Sequence, residues 1–575
     1  MLHRIIGRAG SGKSEYILSL LREAVGSGKD CVLLVPEQQS LEAERLLCTA
    51  LGDTANMRCE VLNFERLPER IAREYGSLAR TYIDDSGRDL LMSVVLGRLS
   101  GNLSEYGRVC GDVDFIRRMI AAVGSFKSAG ITPDGLREAA ERVSGESGGR
   151  LSAKLSDLAA VYEEYDRSFP EGIYDSCDSL SILADGLPST PFFAGKTVFA
   201  DGFYNFTFQE KKLLDRIIAQ SDDVYISFTA DFDDDSGIFD SNNSCARSLA
   251  LKNSPYEDIS LPSNLRAADG ALGYLEKNMW NDLAGPYGGD SGSIRVVECE
   301  SVFDQAEAVC SEIMAFVRAG CRFREIAVSM RTADSQCDII AAMAQKHGIP
   351  VVVSSKTPVV TQPFFAFVLA SLECACTDFL PSSVKKYVKS GFCGLGVRES
   401  DLVLKYIDVW NIRGRKSYEE EWTMHPEGYR DGLDGRSAAV LRSVNAARSR
   451  ISASLSALCE DMASPSLTVG TALRALWRHV TVCGCAAGLR ASADTLRKGG
   501  DEDGALRVSQ LWKIFVGLCD QLYAVCPDEK VTAERFAQLF RIAAEEKSVG
   551  AIPASADAVT VGSAVTPSGL VMLKV

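Results

Sequence analysis

The sequence predicts an α/β fold built on parallel sheets with helical insertions. Three observations carry this. A short apolar segment (Leu2, Ile5, Ile6) runs into Gly7-Arg8-Ala9-Gly10-Ser11-Gly12-Lys13-Ser14, and a helical period follows over 14–23. Continuous apolar runs such as 31–35, expected of a strand covered on both faces, alternate with helical periods. The strand signal fades near residue 84 and returns at 197–200, so a helical block interrupts the first sheet.

In chain order, the first region reads as strand 31–35, helix 40–51, strand 59–62 and helix 64–75. Residues 85–179 are helical in period, with Leu90, Leu91, Val94, Val95 and Leu99 on one stripe. Strand 197–200, helix 209–218 and strand 224–228 resume the α/β pattern. The stretch 231–292 reads as loop, and its Asp231, Asp233, Asp234 and Asp235 as a solvated acidic turn. A second α/β region follows, with strand 294–298, helix 304–319, strand 325–330, a helix to His347 and strand 349–353. Residues 363–547 are helical, and 558–575 return to β-like alternation. The expected domains are therefore 1–84 plus 180–290, with insertion 85–179, and 291–362 plus 548–575, with helical domain 363–547.

Bulk properties narrow the function. A chain of 575 residues is too long for one core and suggests roughly three to five domains or subdomains. Apolar content of 46% and charged content of 24% are those of a soluble protein. The nearest approach to a membrane span, 364–375, is short and carries Ser371 and Glu373, so no membrane partner is expected. The phosphate-binding pattern begins at residue 7, leaving no room for a secretory signal before it, and the expected location is cytoplasmic. A net charge of −15 argues against an overall basic coat for nucleic acid but leaves room for a local basic channel. The 18 cysteines include two C-x-C pairs (Cys374/Cys376 and Cys483/Cys485) but no C-x-x-C. With four histidines, no zinc spacing emerges, and the thiols read as small buried hydrophobes.

The loop 7–14 fits G-x-x-x-x-G-K-S between a strand and a helix. Gly7, Gly10, Ser11 and Gly12 let backbone N–H groups turn onto phosphate oxygens. Lys13 is placed for the β- and γ-phosphates and Ser14 for Mg²⁺, so the expected cofactors are ATP and Mg²⁺. Hydrolysis also needs two acids at a strand tip, one for the metal and one for the attacking water. Asp201 fills the first role. Gly202, next in the chain, has no side chain, and losing a general base costs roughly 10²–10⁴ in rate. The expected outcome is nucleotide binding with slow or absent turnover.

Two such α/β cores, each with a helical block, give the layout of a superfamily 1 helicase with two P-loop/RecA-like domains. Further segments sharpen the likeness: Val35-Pro36-Glu37-Gln38-Gln39-Ser40, Val61-Leu62-Asn63-Phe64-Glu65-Arg66-Leu67, and Ala200-Asp201-Gly202-Phe203-Tyr204-Asn205-Phe206-Thr207. Glu307, the run 323–328 with Arg331, and 404–414 add to it. Together these resemble the AddB subunit of AddAB-type helicase–nucleases, which process broken DNA ends before recombinational repair. The resemblance implies a heterodimer with an AddA-type subunit, in which AddB is the degenerate helicase and its partner drives translocation. It further implies that the loops carrying Gln38 and Ser40, Phe64 and Arg66, and Phe203, Tyr204 and Phe206 face single-stranded DNA and read a short hotspot sequence; Phe64 and Phe206 read equally well as core anchors of the helices they begin, and Arg66 as the partner of Glu65 or Glu69 on a helix face. Family members are longer and carry a C-terminal nuclease module with an iron–sulphur cluster. No such module is matched here, so no nuclease residues or cluster ligands are expected. Two other functions fit parts of the pattern. An autonomous superfamily 1 motor is disfavoured by Gly202 and by the lack of a glutamine–aromatic–arginine motif near 278–280. A nucleotide-dependent assembly module without DNA contact is slightly favoured by the acidic charge.

Overall fold

The computed structural model describes residues 1–52, 57–144, 149–267, 270–331, 333–353, 357–430, 432–550 and 557–563. Its thirteen strands are β1 (Leu2–Gly7), β2 (Asp30–Leu34), β3 (Cys59–Leu62), β4 (Thr81–Ile83), β5 (Ile173–Asp175), β6 (Lys196–Ala200), β7 (Asp223–Thr229), β8 (Tyr256–Ser260), β9 (Ala327–Met330), β10 (Val351–Val353), β11 (Thr357–Pro358), β12 (Ser548–Val549) and β13 (Val559–Ser563). Six of them form one sheet in the order β3-β2-β6-β7-β1-β8. Every pairing in it is parallel.

The connecting helices lie on both faces. They are α1 (Lys13–Gly26), α2 (Ser40–Leu51), α3 (Leu67–Glu74) and, beyond the insertion, α8 (Ser179–Gly186) and α9 (Phe208–Gln220). Alternate residues of β2 show why the strand is apolar throughout. Cys31 and Leu33 join the core under α1 and α2, while Val32 and Leu34 join the core under α3, α8 and α9. Each fully buried aliphatic side chain of this kind contributes roughly 1.5–3 kcal/mol.

Edge strand β8 lies inside the stretch the sequence reads as loop. Its residues Tyr-Glu-Asp-Ile-Ser are polar, and β1 supplies the complement. Buried Arg4 donates to Asp258 at 2.6 and 2.7 Å and lies 4.5 Å from the Tyr256 ring centre. The His3 ring meets Glu257 at 2.9 Å. Charge pairing with a neighbouring strand, invisible to a periodicity argument, makes this segment a strand.

The insertion comprises α4 (Asp85–Leu99), α5 (Val113–Ala129), α6 (Pro133–Ser144) and α7 (Gly149–Arg167), entered through β4 and left through β5, which pair in parallel. Its apolar residues join one continuous core with those of the helices between Pro363 and Glu545. Ser86 Oγ donates to the Ala543 carbonyl at 2.7 Å, and Arg535 Nη2 to the Ser93 carbonyl at 3.0 Å. Two blocks that look separate along the chain are thus packed together.

The second α/β unit holds a smaller parallel sheet, β10-β13-β9, packed with α12 (Val302–Arg318) and α13 (Ala333–Lys346). The expected strand at 294–298 is absent: Val296 is 95% exposed, and the segment pairs with no described strand. Of the expected terminal β segment, 557–563 is described and includes β13; residues 564–575 lie outside the described residues. No helix of the described residues is long and apolar enough to cross a membrane.

Several cysteines are core residues, as expected of small hydrophobes. Cys31, Cys59 and Cys374 are buried, and burial pushes the Cys59 thiol up to about 12.

The helical core also buries a histidine. His479 Nδ1 must donate to the Ser454 carbonyl at 3.1 Å, which leaves Nε2 to accept from Ser371 Oγ at 3.0 Å. Burial lowers its pKa to about 4 from 6.5, so the ring is neutral in the fold. The unfolded chain therefore binds the extra proton first as pH falls. Stability holds above pH 6.5, declines between 6.5 and about 4, and the loss from this residue reaches about 3 kcal/mol. His479→Asn should flatten the melting temperature against pH across that window.

Candidate nucleotide site

The glycine-rich loop sits at the carboxyl end of β1, the edge of a parallel sheet where ligands collect. Gly10 and Gly12 both have φ of +82°, the left-handed region that suits glycine. A Cβ on Gly7 would lie 2.4 Å from Ser11 Oγ, and one on Gly12 would lie 2.9 Å from Leu265. No side chain caps the N-terminus of α1. The buried Ser11 hydroxyl has no hydrogen-bond partner. The loop is thus a compact cradle with orphan donors at its floor.

Lys13 folds back onto this loop, donating to the carbonyls of Gly7 at 2.9 Å and Arg8 at 2.8 Å. Burial lowers its pKa to about 8; Asp201 and Glu276 act against that shift, and Arg266 adds to it.

Asp201 follows β6, which is separated from β1 by β7. Its N–H donates to the Leu34 carbonyl at 3.0 Å, and Ser227 Oγ of β7 donates to its carboxylate at 2.5 Å. One cavity is lined by Ser14, Gln39, Glu42 and Asp201. Gly202 has φ of +79°, and a Cβ there would lie 2.2 Å from Gln39 Oε1. The Gln39 amide therefore fills the space beside Asp201 that a side chain at position 202 would need. Glu210, a conceivable stand-in base, is committed elsewhere: it accepts the Thr207 N–H at 2.7 Å in a capping box on α9.

The acidic loop has a role that its sequence did not suggest. Asp231 and Asp234 hold the Arg8 guanidinium at 2.7 and 2.5 Å. They pin the phosphate loop from one side instead of being merely solvated. From the other side the chain after β8 straps across the loop, with the N–H groups of Leu265 and Arg266 donating to the Gly10 carbonyl at 2.8 and 3.2 Å. The Arg266 guanidinium is exposed and pairs with no described residue. No local signal pointed to it, because β8 itself was not recognisable.

The residues expected to face DNA divide into two groups. Gln38 and Arg66 are exposed, and Arg66 makes no ion pair among the described residues. Glu69, its expected helix-face partner, pairs with Arg73 at 2.6 Å instead. Phe203 is half-buried. Phe64 and Phe206, by contrast, are core side chains, 6% and 4% exposed. Their rings pack with each other and with Phe203 at 5.0–6.2 Å between centres. They hold the loops together and have no free face for a base. Ser40 is likewise buried, accepting from Asn63 Nδ2 at 3.2 Å and tying the loop after β2 to the loop after β3. The exposed aromatic on this rim is Tyr204, 60% exposed. Arg415, in the second helical block, pairs with Glu419 and Glu460 at 3.1 and 2.6 Å.

Sheet and loop define an α/β protein with a G-x-x-x-x-G-K-S turn at the tip of its first strand and an aspartate two strands away. Comparison with known proteins makes this more specific. Residues 4–251 match the family described as ADDB, N-terminal, so the AddB resemblance read from the sequence holds. The chain is similar to proteins named as the B subunit of an ATP-dependent helicase/deoxyribonuclease. It is 27% identical to that of Clostridium acetobutylicum and 28% identical to that of Ruminiclostridium cellulolyticum, in each case over 98% of this chain and 50% of the relative. It is 29% identical to that of Pelotomaculum thermopropionicum over 97% of this chain and 50% of the relative. The chain thus spans about half the length of the curated relatives it matches.

Proposed function

We propose that this chain is the helicase-like, ATP-binding part of an AddB-type protein that pairs with an AddA-type helicase–nuclease to process DNA double-strand breaks for homologous recombination. In this reading the two sheets are RecA-like domains of superfamily 1 type. The first binds ATP and Mg²⁺, and turnover at this site is weak or absent. The loop fits the group in two respects: the Ser11 hydroxyl lacks a partner, and the N-terminus of α1 has no side-chain cap. Lys13 would meet the terminal phosphates, and Ser14 and Asp201 would hold the metal. Bound Mg²⁺ would neutralise phosphate charge. The observation that carries weak turnover is Gly202: its backbone is left-handed and the Gln39 amide occupies the space a side chain there would take, so the position next to Asp201 in the chain supplies no water-activating carboxylate.

The DNA contact in this reading rests on Gln38, Arg66, Phe203 and Tyr204 at the sheet edge. Arginine beside an exposed ring is what single-strand binding uses. Fluorescence anisotropy with a labelled single-stranded oligonucleotide over a salt series tests it. Affinity should fall with salt, Arg66→Ala should reduce the salt slope by about one, and Tyr204→Ala should weaken binding about fivefold or more. Binding that ignores salt and both substitutions would favour an assembly role without DNA contact.

A further inference from the structure

Helix α11 (Gly270–Asn278) brings a carboxylate to the phosphate loop from a segment outside every sequence motif. Glu276 Oε1 lies 3.9 Å from Arg8 Nη1, and both side chains are largely buried. Arg8 is already neutralised by Asp231 and Asp234 at closer range. Lys13, five residues on in the same loop, feels the charge of Glu276 as well as those of Asp201 and Arg266. With no side-chain partner of its own, the Lys13 ammonium lies on its loop carbonyls. Glu276 thus stands against Arg8 of the loop, and its charge reaches the Lys13 ammonium.

We propose that Glu276 is a displaceable anion: it balances the empty phosphate loop, and an incoming triphosphate expels it, so that α11 responds to nucleotide occupancy. This rests on the reading that ATP binds at Lys13. Two anionic groups cannot share the same cations in a partly desolvated site without strong repulsion. The triphosphate has the better claim, since it also takes the loop N–H groups. Glu276 is weakly tethered. Among the described residues its one ion pair is the 3.9 Å contact, and Ala271 is the buried residue of α11. The response has an outlet. Just beyond α11, Trp280 and Leu283 are 63% and 94% exposed, at the start of the segment leading to the second α/β unit. A ligand shifts such an equilibrium only through its different affinity for the two states, and the like charge of Glu276 provides that difference.

The test compares Mg²⁺·ATP binding by calorimetry in the wild type, Glu276→Gln and Lys13→Ala, together with tryptophan emission. Glu276→Gln should bind ATP about tenfold tighter than wild type and melt slightly lower in the absence of nucleotide, because the contact that ATP must displace is already gone. ATP should change the emission of the wild type but not of Trp280→Phe, and tripolyphosphate should reproduce the change while adenosine does not. These wild-type arms decide the matter even if Glu276→Gln folds poorly. Equal or weaker ATP affinity in Glu276→Gln overturns the proposal, as does a Trp280 signal blind to both triphosphates. Loss of measurable hydrolysis in Glu276→Gln would instead make Glu276 the water-activating base and would equally overturn it. If the wild type itself shows no Lys13-dependent binding, the ATP reading fails first and takes this inference with it.

Discussion

Lys13→Ala is expected to lose ATP binding by a factor of roughly 10² or more, the largest functional effect of any single substitution in this chain. The physical reason is local. Lys13 is the loop's own cation, it is buried enough for its pKa to fall to about 8, and it has no side-chain partner to leave behind. A phosphate would recover for it the charge-assisted bonds that water no longer supplies, each worth roughly 1.5–3 kcal/mol. Removing the ammonium takes those bonds away without opening a core cavity, so the fold should survive. Thermal melting checks both points at once. At an ATP concentration a hundredfold above the dissociation constant, the wild type should gain about 2.7 kcal/mol and Lys13→Ala should gain nothing. Without nucleotide the two proteins should melt within a degree or two of each other.

Lys127→Met should produce the largest loss of stability, about 3–5 kcal/mol. Lys127 is 3% exposed at its side chain and meets Asp166, Asp175 and Asp178 at 2.9, 2.9 and 2.6 Å. Asp175 ends β5, and Asp178 lies at the turn that returns the chain to the first sheet, so this ammonium fastens the exit of the insertion. Of these three carboxylates Arg88 pairs with Asp175, at 3.0 Å, and its other ion pair among the described residues is with Asp85. Methionine would fill the volume of the lysine stem and leave three carboxylates with one cation between them. Burial already raises the pKa of Asp166 and Asp178, with Lys127 opposing the rise. In the variant that opposition is gone, so the folded state takes up protons more readily than the unfolded chain as pH falls. The deficit in urea melts should therefore be largest where these carboxylates are fully ionised and shrink as pH falls through their raised pKa values. A deficit independent of pH would assign the loss to packing instead of charge.

The parts of this molecule legible in the sequence are those written in local pattern. The loop at 7–14, the strands at 31–35, 59–62, 197–200 and 224–228, and the helices between them depend on residues a few positions apart, and the structure has strands and helices there. Gly202 was legible too, because an absent side chain needs no neighbour to be read. What escaped depends on pairs far apart in the chain. β8 is a strand because Arg4 pairs with Asp258 and the His3 ring hydrogen-bonds Glu257, some 254 positions away. The strap carrying Arg266, the Arg8 clasp by Asp231 and Asp234, and Glu276 follow from that placement. The opposite error at 294–298 has the same origin: alternating apolar residues favour a strand, but a strand also needs a partner edge. Phe64 and Phe206 show the limit for site residues. Their positions on the rim loops follow from sequence, but whether a ring points to solvent or into the core is a property of packing. The burial of these two, beside the exposure of Tyr204, narrows the expected stacking surface to part of the same rim.

The central claim is that this fold holds ATP between Lys13 and Asp201 without the means to activate water at position 202. The most direct measurement follows the fate of bound ATP: radiolabelled nucleotide, stoichiometric with protein and Mg²⁺, is quenched over time with and without single-stranded DNA. The account predicts Lys13-dependent retention of intact ATP over many minutes under both conditions. Rapid cleavage of the bound nucleotide that disappears in Asp201→Ala would contradict it.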